Sequence, residues 1–211
     1  RCMVALAGGS TPKAAFALLA SAAYRERVPW QHMHVFWGDE RHVPPDHADS
    51  NYRLAHEAML AHVPVPAGQI HRILAEQEAQ QAADAYVATL QQAFDLQGDA
   101  VPRFDLILLG MGPDGHTASL FPGTSAVHER TRLVVAPWVE KFHTFRITMS
   151  PPVLCHAEHV VFAAGGADKA ETLQQVLQGP YTPDLYPSQV VQPTHGTLLW
   201  LVDTAAARLL S

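Results

Sequence analysis

The segment Gly110-Met111-Gly112-Pro113-Asp114-Gly115-His116-Thr117 holds the side chains of this sequence best suited to acid–base chemistry. An imidazole titrates near neutral pH, so His116 has the right chemistry for a general base. Asp114 stands two residues before it, within reach to orient the ring as carboxylates do in hydrolase triads. The glycines around them permit a contorted loop. The plainer reading is a turn with a solvent-facing histidine, and the chain has 13 histidines. Asp39-Glu40-Arg41 follows an apolar run. Two carboxylates and a guanidinium there can bind a polyol or polarise a carbonyl, or form a solvated ion-pair run.

Three further features suit an anion. Gly8-Gly9-Ser10-Thr11-Pro12 combines a glycine pair, two hydroxyls and a helix start. Backbone N–H groups at such a start attract a phosphate that glycines allow to approach, although a tight strand-to-helix turn has the same composition. It lacks the Gly-Lys-Ser/Thr ending of a Walker loop and the G-x-S-x-G context of a nucleophile elbow. Gly165-Gly166-Ala167-Asp168-Lys169 puts one of only three lysines at the first turn of a helix, as a point charge for phosphate or as a solvated helix lysine. Arg146, inside Phe145-Arg146-Ile147-Thr148-Met149-Ser150, is either a strand-edge arginine or a second phosphate ligand. For a metal, His32-x-His34 with His42, His47 and His56 is the nearest approach to a ligand set. There is no H-E-x-x-H and no C-x-x-C, so no metal is assigned.

The elements that must position these groups follow from the apolar pattern. Strands are predicted over residues 3–7, 33–37, 104–109, 132–136, 144–149, 159–164 and 197–202, and helices over 12–23, 51–61, 78–96, 167–178 and 203–210. Thr11 is the expected cap of the first helix, with Pro12 as its first helical residue. Ser50 is the expected cap of the second. Ala82, Tyr86, Leu90, Ala93 and Phe94 form the packed stripe of the third. Alternating strands and helices predict an α/β fold with a mainly parallel sheet and helices on both faces. Ligands of such sheets bind outside the carboxyl ends of the strands, where the loops at Gly8, Gly38, Gly110 and Gly165 are all expected to converge.

The 211 residues predict one domain over 1–211. With 48% hydrophobic and 16% charged residues, the chain is not disordered. A net charge of −6 argues against a general nucleic-acid binder and says nothing against a small anion. No apolar run is long enough for a membrane span. Cys2 and Cys155 make no disulfide framework and fit a reducing compartment. The chain opens Arg1-Cys2-Met3 rather than with Met, so an N-terminal segment is expected to precede it.

Together these motifs resemble the 6-phosphogluconolactonase family. The resemblance rests on Ala7-Gly8-Gly9-Ser10-Thr11-Pro12, Gly38-Asp39-Glu40-Arg41-x-Val43-Pro44, Ser50-Asn51, and Gly110-x-Gly112-x-Asp114-Gly115-His116-Thr117-Ala118-Ser119-Leu120-Phe121-Pro122. Arg146-Ile147-Thr148, Gly166-x-x-Lys169 and Leu199-Trp200-x-x-Asp203-x-x-Ala206 extend it, in order, along nearly the whole chain. It implies a Rossmann-like fold, hydrolysis of 6-phosphogluconolactone in the oxidative pentose phosphate pathway, no cofactor, and a cytoplasmic setting. It further implies a small sugar phosphate as partner, with neither nucleic acid nor membrane, and a monomer or small homo-oligomer. His116 then matches the general base, and Asp39 and Arg41 match active-site residues. Gly9, Ser10, Thr11, Arg146 and Lys169 match the phosphate end. The family usually carries a further helix and strand before the glycine turn. Two alternatives stay open: an aminosugar-phosphate deaminase on the same fold, and a non-catalytic sugar-phosphate sensor. The deaminases follow the histidine with Ile-Ala-Phe-Asn-Glu-Pro, where this chain has Thr117-Ala118-Ser119-Leu120-Phe121-Pro122.

Overall fold

A computed structural model describes residues 1–211. Five parallel strands form the central sheet: β1 (Cys2–Leu6), β2 (Met33–Trp37), β4 (Leu106–Gly110), β8 (His159–Ala164) and β9 (Thr197–Val202), in the order β2-β1-β4-β8-β9. A second, antiparallel sheet has the order β3-β7-β5, built from β3 (Asp39–Arg41), β5 (Val134–Val135) and β7 (Thr144–Met149). The short β6 (Trp138–Val139) also pairs with β7. The helices are α1 (Ser10–Leu19), α2 (Asn51–Ala58), α3 (Ala79–Phe94), α4 (Pro151–Cys155) and α5 (Ala170–Gln178).

The expected parallel sheet is therefore present. Its interior strand β1 is apolar because both neighbours and both faces are occupied; Met3, Val4, Ala5 and Leu6 are all buried. Trp37, Phe162, Leu109 and the α3 residues Ala82, Tyr86 and Leu90 belong to the same core. At β9 the coverage stops. Leu198, Leu199 and Leu201 are exposed on this edge strand, where continuous burial was the expectation. No helix is long and apolar enough to cross a membrane.

Several boundaries differ from the sequence reading. The first helix is capped by Gly9, at φ 107°, and not by Thr11, so Ser10, Thr11 and Pro12 form its first turn. Proline is tolerated there because the N–H groups of a first turn have no helical partner. Ser50 does cap α2, accepting from the Arg53 N–H. Residues 203–210 form only a 3₁₀ turn, Ala206–Leu209, with Asp203 accepting from the Ala206 N–H at 2.7 Å. The strand expected over 132–136 shrinks to two residues. The polar β3 and the Pro-initiated α4 lie where no strand or helix was expected.

Candidate active site

The carboxyl ends of β1, β2, β4 and β8 lie side by side, so the four polar loops do converge. The chain runs from β1 to β2 on one side and later to β4 on the other. The cleft opens at this switch point, the place where such sheets bind ligands. Ala7, Gly8 and Gly9 line it from β1, Gly38, Asp39 and Arg41 from β2 and β3, and Gly110, Gly112 and His116 from β4, with Asn51 beside them.

His116 is held by its ring neighbours and by its loop. Its Nδ1 pairs with Asp114 Oδ1. Its ring stacks on Phe121, centroids 4.2 Å apart. A Cβ at Gly112 would stand 2.1 Å from the ring, so only glycine leaves room for it. The loop itself is closed by the Gly112 N–H donating to His116 O at 2.9 Å, with Gly115 in the left-handed region at φ 76°. The N–H and hydroxyl of Ser188 both donate to Gly115 O, fixing the loop from the far side. Burial pushes the Asp114 carboxyl up, but hydrogen bonds from His116 and from Lys141 outweigh it and hold Asp114 well below the ordinary carboxylate range. Asp114 is therefore an anion that accepts Nδ1–H, and Nε2 is left as the basic nitrogen.

Asp39 is buried, with 7% exposed. Ser119 Oγ donates to its Oδ2 at 2.7 Å, and Asn51 Nδ2 donates to its backbone oxygen and Oδ1. Asn51 Oδ1 accepts no hydrogen bond and occupies the place where a side chain at Gly8 would project. Glu40, the middle residue of this acidic pair and arginine, has a structural task. Its carboxylate accepts from the N–H groups of Arg41, Asn51 and Tyr52 and from Ser50 Oγ, closing the start of α2. Burial raises its pKa, and those backbone bonds oppose the rise.

Arg41 and Arg146 are register partners across the β3–β7 pair. Burial and the Arg41 charge both lower the Arg146 pKa, while Asp39, Asp49 and Glu40 pull the other way. Like charges directly opposite on a sheet repel. Arg41 Nη1 donates to Asp49 O at 2.6 Å, and the Arg146 guanidinium lies over the Phe142 ring, 5.0 Å from its centroid. Of the residues expected at the phosphate end, Gly9 lines the cleft. Ser10 and Thr11 follow it, exposed at the start of α1. Lys169 stays on the loop after β8, its Nζ donating to Gly165 O at 2.9 Å and lying 3.4 Å from Asp168. It is not among the residues lining the cleft. No three His, Cys, Asp or Glu side chains come together as a metal-ligand set. Ser119, Asn51, Phe121 and Lys141 were given no role from the sequence. The Asn51, Ser119 and Phe121 positions carried a signal as parts of longer motifs, and Lys141 did not.

A family model described as glucosamine-6-phosphate isomerases/6-phosphogluconolactonase matches residues 1–200. The 6-phosphogluconolactonase of Nostoc sp. is 43% identical over 213 residues, covering 100% of this chain and 85% of that protein. The solved 6-phosphogluconolactonase from Trypanosoma brucei superposes with a TM-score of 0.88 at 30% identity, covering 100% of this chain and 86% of the other. A monomeric glucosamine-6-phosphate deaminase superposes with a TM-score of 0.81, covering 99% of this chain and 88% of its own, but at 21% identity that likeness concerns the fold alone. This chain belongs to the glucosamine-6-phosphate isomerase/6-phosphogluconolactonase family.

Proposed function

We infer that this chain is a 6-phosphogluconolactonase, which hydrolyses 6-phospho-D-glucono-1,5-lactone to 6-phospho-D-gluconate in the oxidative pentose phosphate pathway. The observation that carries the reading is His116, paired with Asp114, in a cleft shared with Arg41, which is the register partner of Arg146. A lactone is an activated ester, so one base and an oxyanion partner suffice and no cofactor is needed. Water attacks C1 as His116 Nε2 takes its proton. The tetrahedral oxyanion collapses, the bond from C1 to the ring oxygen breaks, and the same proton passes to that oxygen. Asp114 stabilises the imidazolium formed in between.

The phosphate binds between Arg41 and Arg146, relieving their mutual repulsion. Gly9, Ser10 and Thr11 at the start of α1 add N–H and hydroxyl donors, and Lys169 adds charge from the next loop. Arg41 lines the cleft with His116, so it also reaches the developing oxyanion. Asp39, fixed by Ser119 and Asn51, accepts from a sugar hydroxyl. Binding energy from the phosphate orients the distant carbonyl. A cytoplasmic setting suits the two free cysteines.

The deaminase alternative loses support at one position. Counting from the histidine, the deaminase glutamate falls where this chain has Phe121. That ring is stacked on His116, so the base meets an apolar wall in place of a second carboxylate. A sensor, for its part, needs no oriented base. The experiment is product formation from freshly generated 6-phosphogluconolactone, with the spontaneous rate subtracted, alongside ammonia release from glucosamine 6-phosphate. Lactone hydrolysis without ammonia is expected. Enzyme-dependent ammonia without lactone hydrolysis would overturn the reading.

A further inference from the structure

We propose that Lys141 is a positioning residue, which holds one oxygen of Asp114 so that the other stays on His116 Nδ1 and the imidazole keeps Nε2 free for the reaction. This rests on the hydrolase reading above. Lys141 lies in the 3₁₀ turn Glu140–Phe142, between β6 and β7, and its Nζ donates to Asp114 Oδ2 at 2.9 Å. The other oxygen, Oδ1, serves the His116 ring and the His116 N–H. With Oδ2 free, the carboxylate can turn about its Cβ–Cγ bond and exchange its oxygens. With both tied, it presents one fixed acceptor to the ring.

An exposed Lys–Asp pair ordinarily contributes little. Here the lysine side chain is 55% exposed, while Asp114 and His116 are each only 25% exposed, so the end that matters is sheltered. The same turn supports the ring by a second route. Phe142 packs edge-on against Phe121, centroids 5.6 Å apart, and Phe121 stacks on His116. Two adjacent residues of one turn thus support the base through a polar chain and an apolar one. Lys141 itself lies outside the cleft that holds His116, on the Asp114 side, so its effect passes through Asp114.

The test compares Lys141→Met and Lys141→Arg with wild type. For Lys141→Met, kcat on 6-phosphogluconolactone is expected to fall about 10-fold, the scale of one charge-assisted hydrogen bond, with KM within about twofold. Lys141→Arg, which keeps the cation, restores most of it. A second readout needs no substrate. The ¹⁵N resonances of His116, identified by their loss in His116→Gln, are read on the high-pH plateau, where they no longer change with pH. Wild type and Lys141→Arg should hold the Nδ1–H tautomer, and Lys141→Met should show a mixture. An unchanged tautomer in Lys141→Met overturns the proposal, whatever the kinetics. Absence of lactone hydrolysis in wild type would instead overturn the functional reading, and the ring measurement would still decide the role of Lys141.

Discussion

Gly112→Ala separates the presence of the Asp114–His116 pair from its placement. The added Cβ would sit 2.1 Å from both Cε1 and Nδ1 of His116 and 2.8 Å from Asp114 Oδ1. Carbon atoms pack at about 3.5 Å or more, so the ring must retreat by about 1.4 Å and its hydrogen bond to Asp114 must re-form elsewhere. The backbone is not the obstacle, because Gly112 is not among the glycines with positive φ. Displacement of a catalytic group by about 1 Å can cost about 100-fold in rate. The expected outcome is a kcat about 100-fold below wild type with KM for the phosphorylated lactone little changed, since Arg41, Arg146 and the glycine turn are untouched. The assay follows acid release from fresh lactone, less the spontaneous rate, on protein whose thermal midpoint matches wild type within a few degrees. A folded Gly112→Ala enzyme with kcat within about threefold of wild type would refute the claim that this loop fixes the base by steric fit.

His116→Ala should lower kcat by roughly 10² to 10⁴, the usual worth of a positioned general base, while calorimetric binding of 6-phosphogluconate changes far less. Arg146→Ala should weaken binding of the phosphorylated lactone by about 1.5–3 kcal/mol and leave the unphosphorylated lactone almost unaffected; equal losses on both would remove Arg146 from the phosphate site. The same substitution relieves Arg41, so anion-free protein should not lose thermal stability. Glu129 supplies a pH signature. Burial raises its pKa, but the N–H groups of Thr131 and Arg132, the Arg132 guanidinium and the Thr131 hydroxyl bring it down to about 2. An acid whose folded pKa lies below its unfolded value, about 4.3, stabilises the fold above that value and loses the contribution as pH falls towards 2. The difference in thermal midpoint between wild type and Glu129→Gln should be full at neutral pH and close over that interval.

The parallel sheet was legible because its strands are short apolar runs between polar loops; Met33–Trp37, His159–Ala164 and the exposed edge strand Thr197–Val202 have the bounds the sequence suggested. Of the antiparallel sheet, β7 has the expected bounds and β5 falls within an expected strand, but β3 was not legible. Asp39-Glu40-Arg41 has no apolar residue to mark a strand, and Glu40 is buried for reasons that appear only when the start of α2 is folded against it. Pro151-Pro152 reads as loop, yet both stand in the first turn of α4, where proline forfeits no helical hydrogen bond. The candidate site was legible as motifs, because glycine, histidine and carboxylate chemistry is local. The facing of Arg41 and Arg146 was not, since it depends on strand register between residues far apart in the chain. Lys141 was invisible for the same reason: it reaches Asp114 across 27 residues.

That division has a mechanistic side, because the candidate site is built from both sheets. The parallel sheet presents His116 and the glycine turn; the antiparallel one presents Arg41 and Arg146. A single residue, Gly38, separates β2 from β3. Its N–H donates to Leu6 O at 3.0 Å in the first sheet, and its carbonyl accepts from the Met149 N–H at 2.8 Å in the second. Ser119 makes the second join: its N–H donates to Thr148 Oγ1, and its hydroxyl to Asp39 Oδ2, just after the base in sequence. These bonds are buried, where an unpaired partner is costly, so the separation between base and phosphate pair is held stiffly. On the proposed reading, a lactone whose phosphate rests on Arg41 and Arg146 of the second sheet and on the glycine turn of the first has its carbonyl set at a fixed distance from His116. Selectivity for the phosphorylated lactone would on this account show in kcat as well as in KM, because the seam turns phosphate binding into alignment of the reacting carbon.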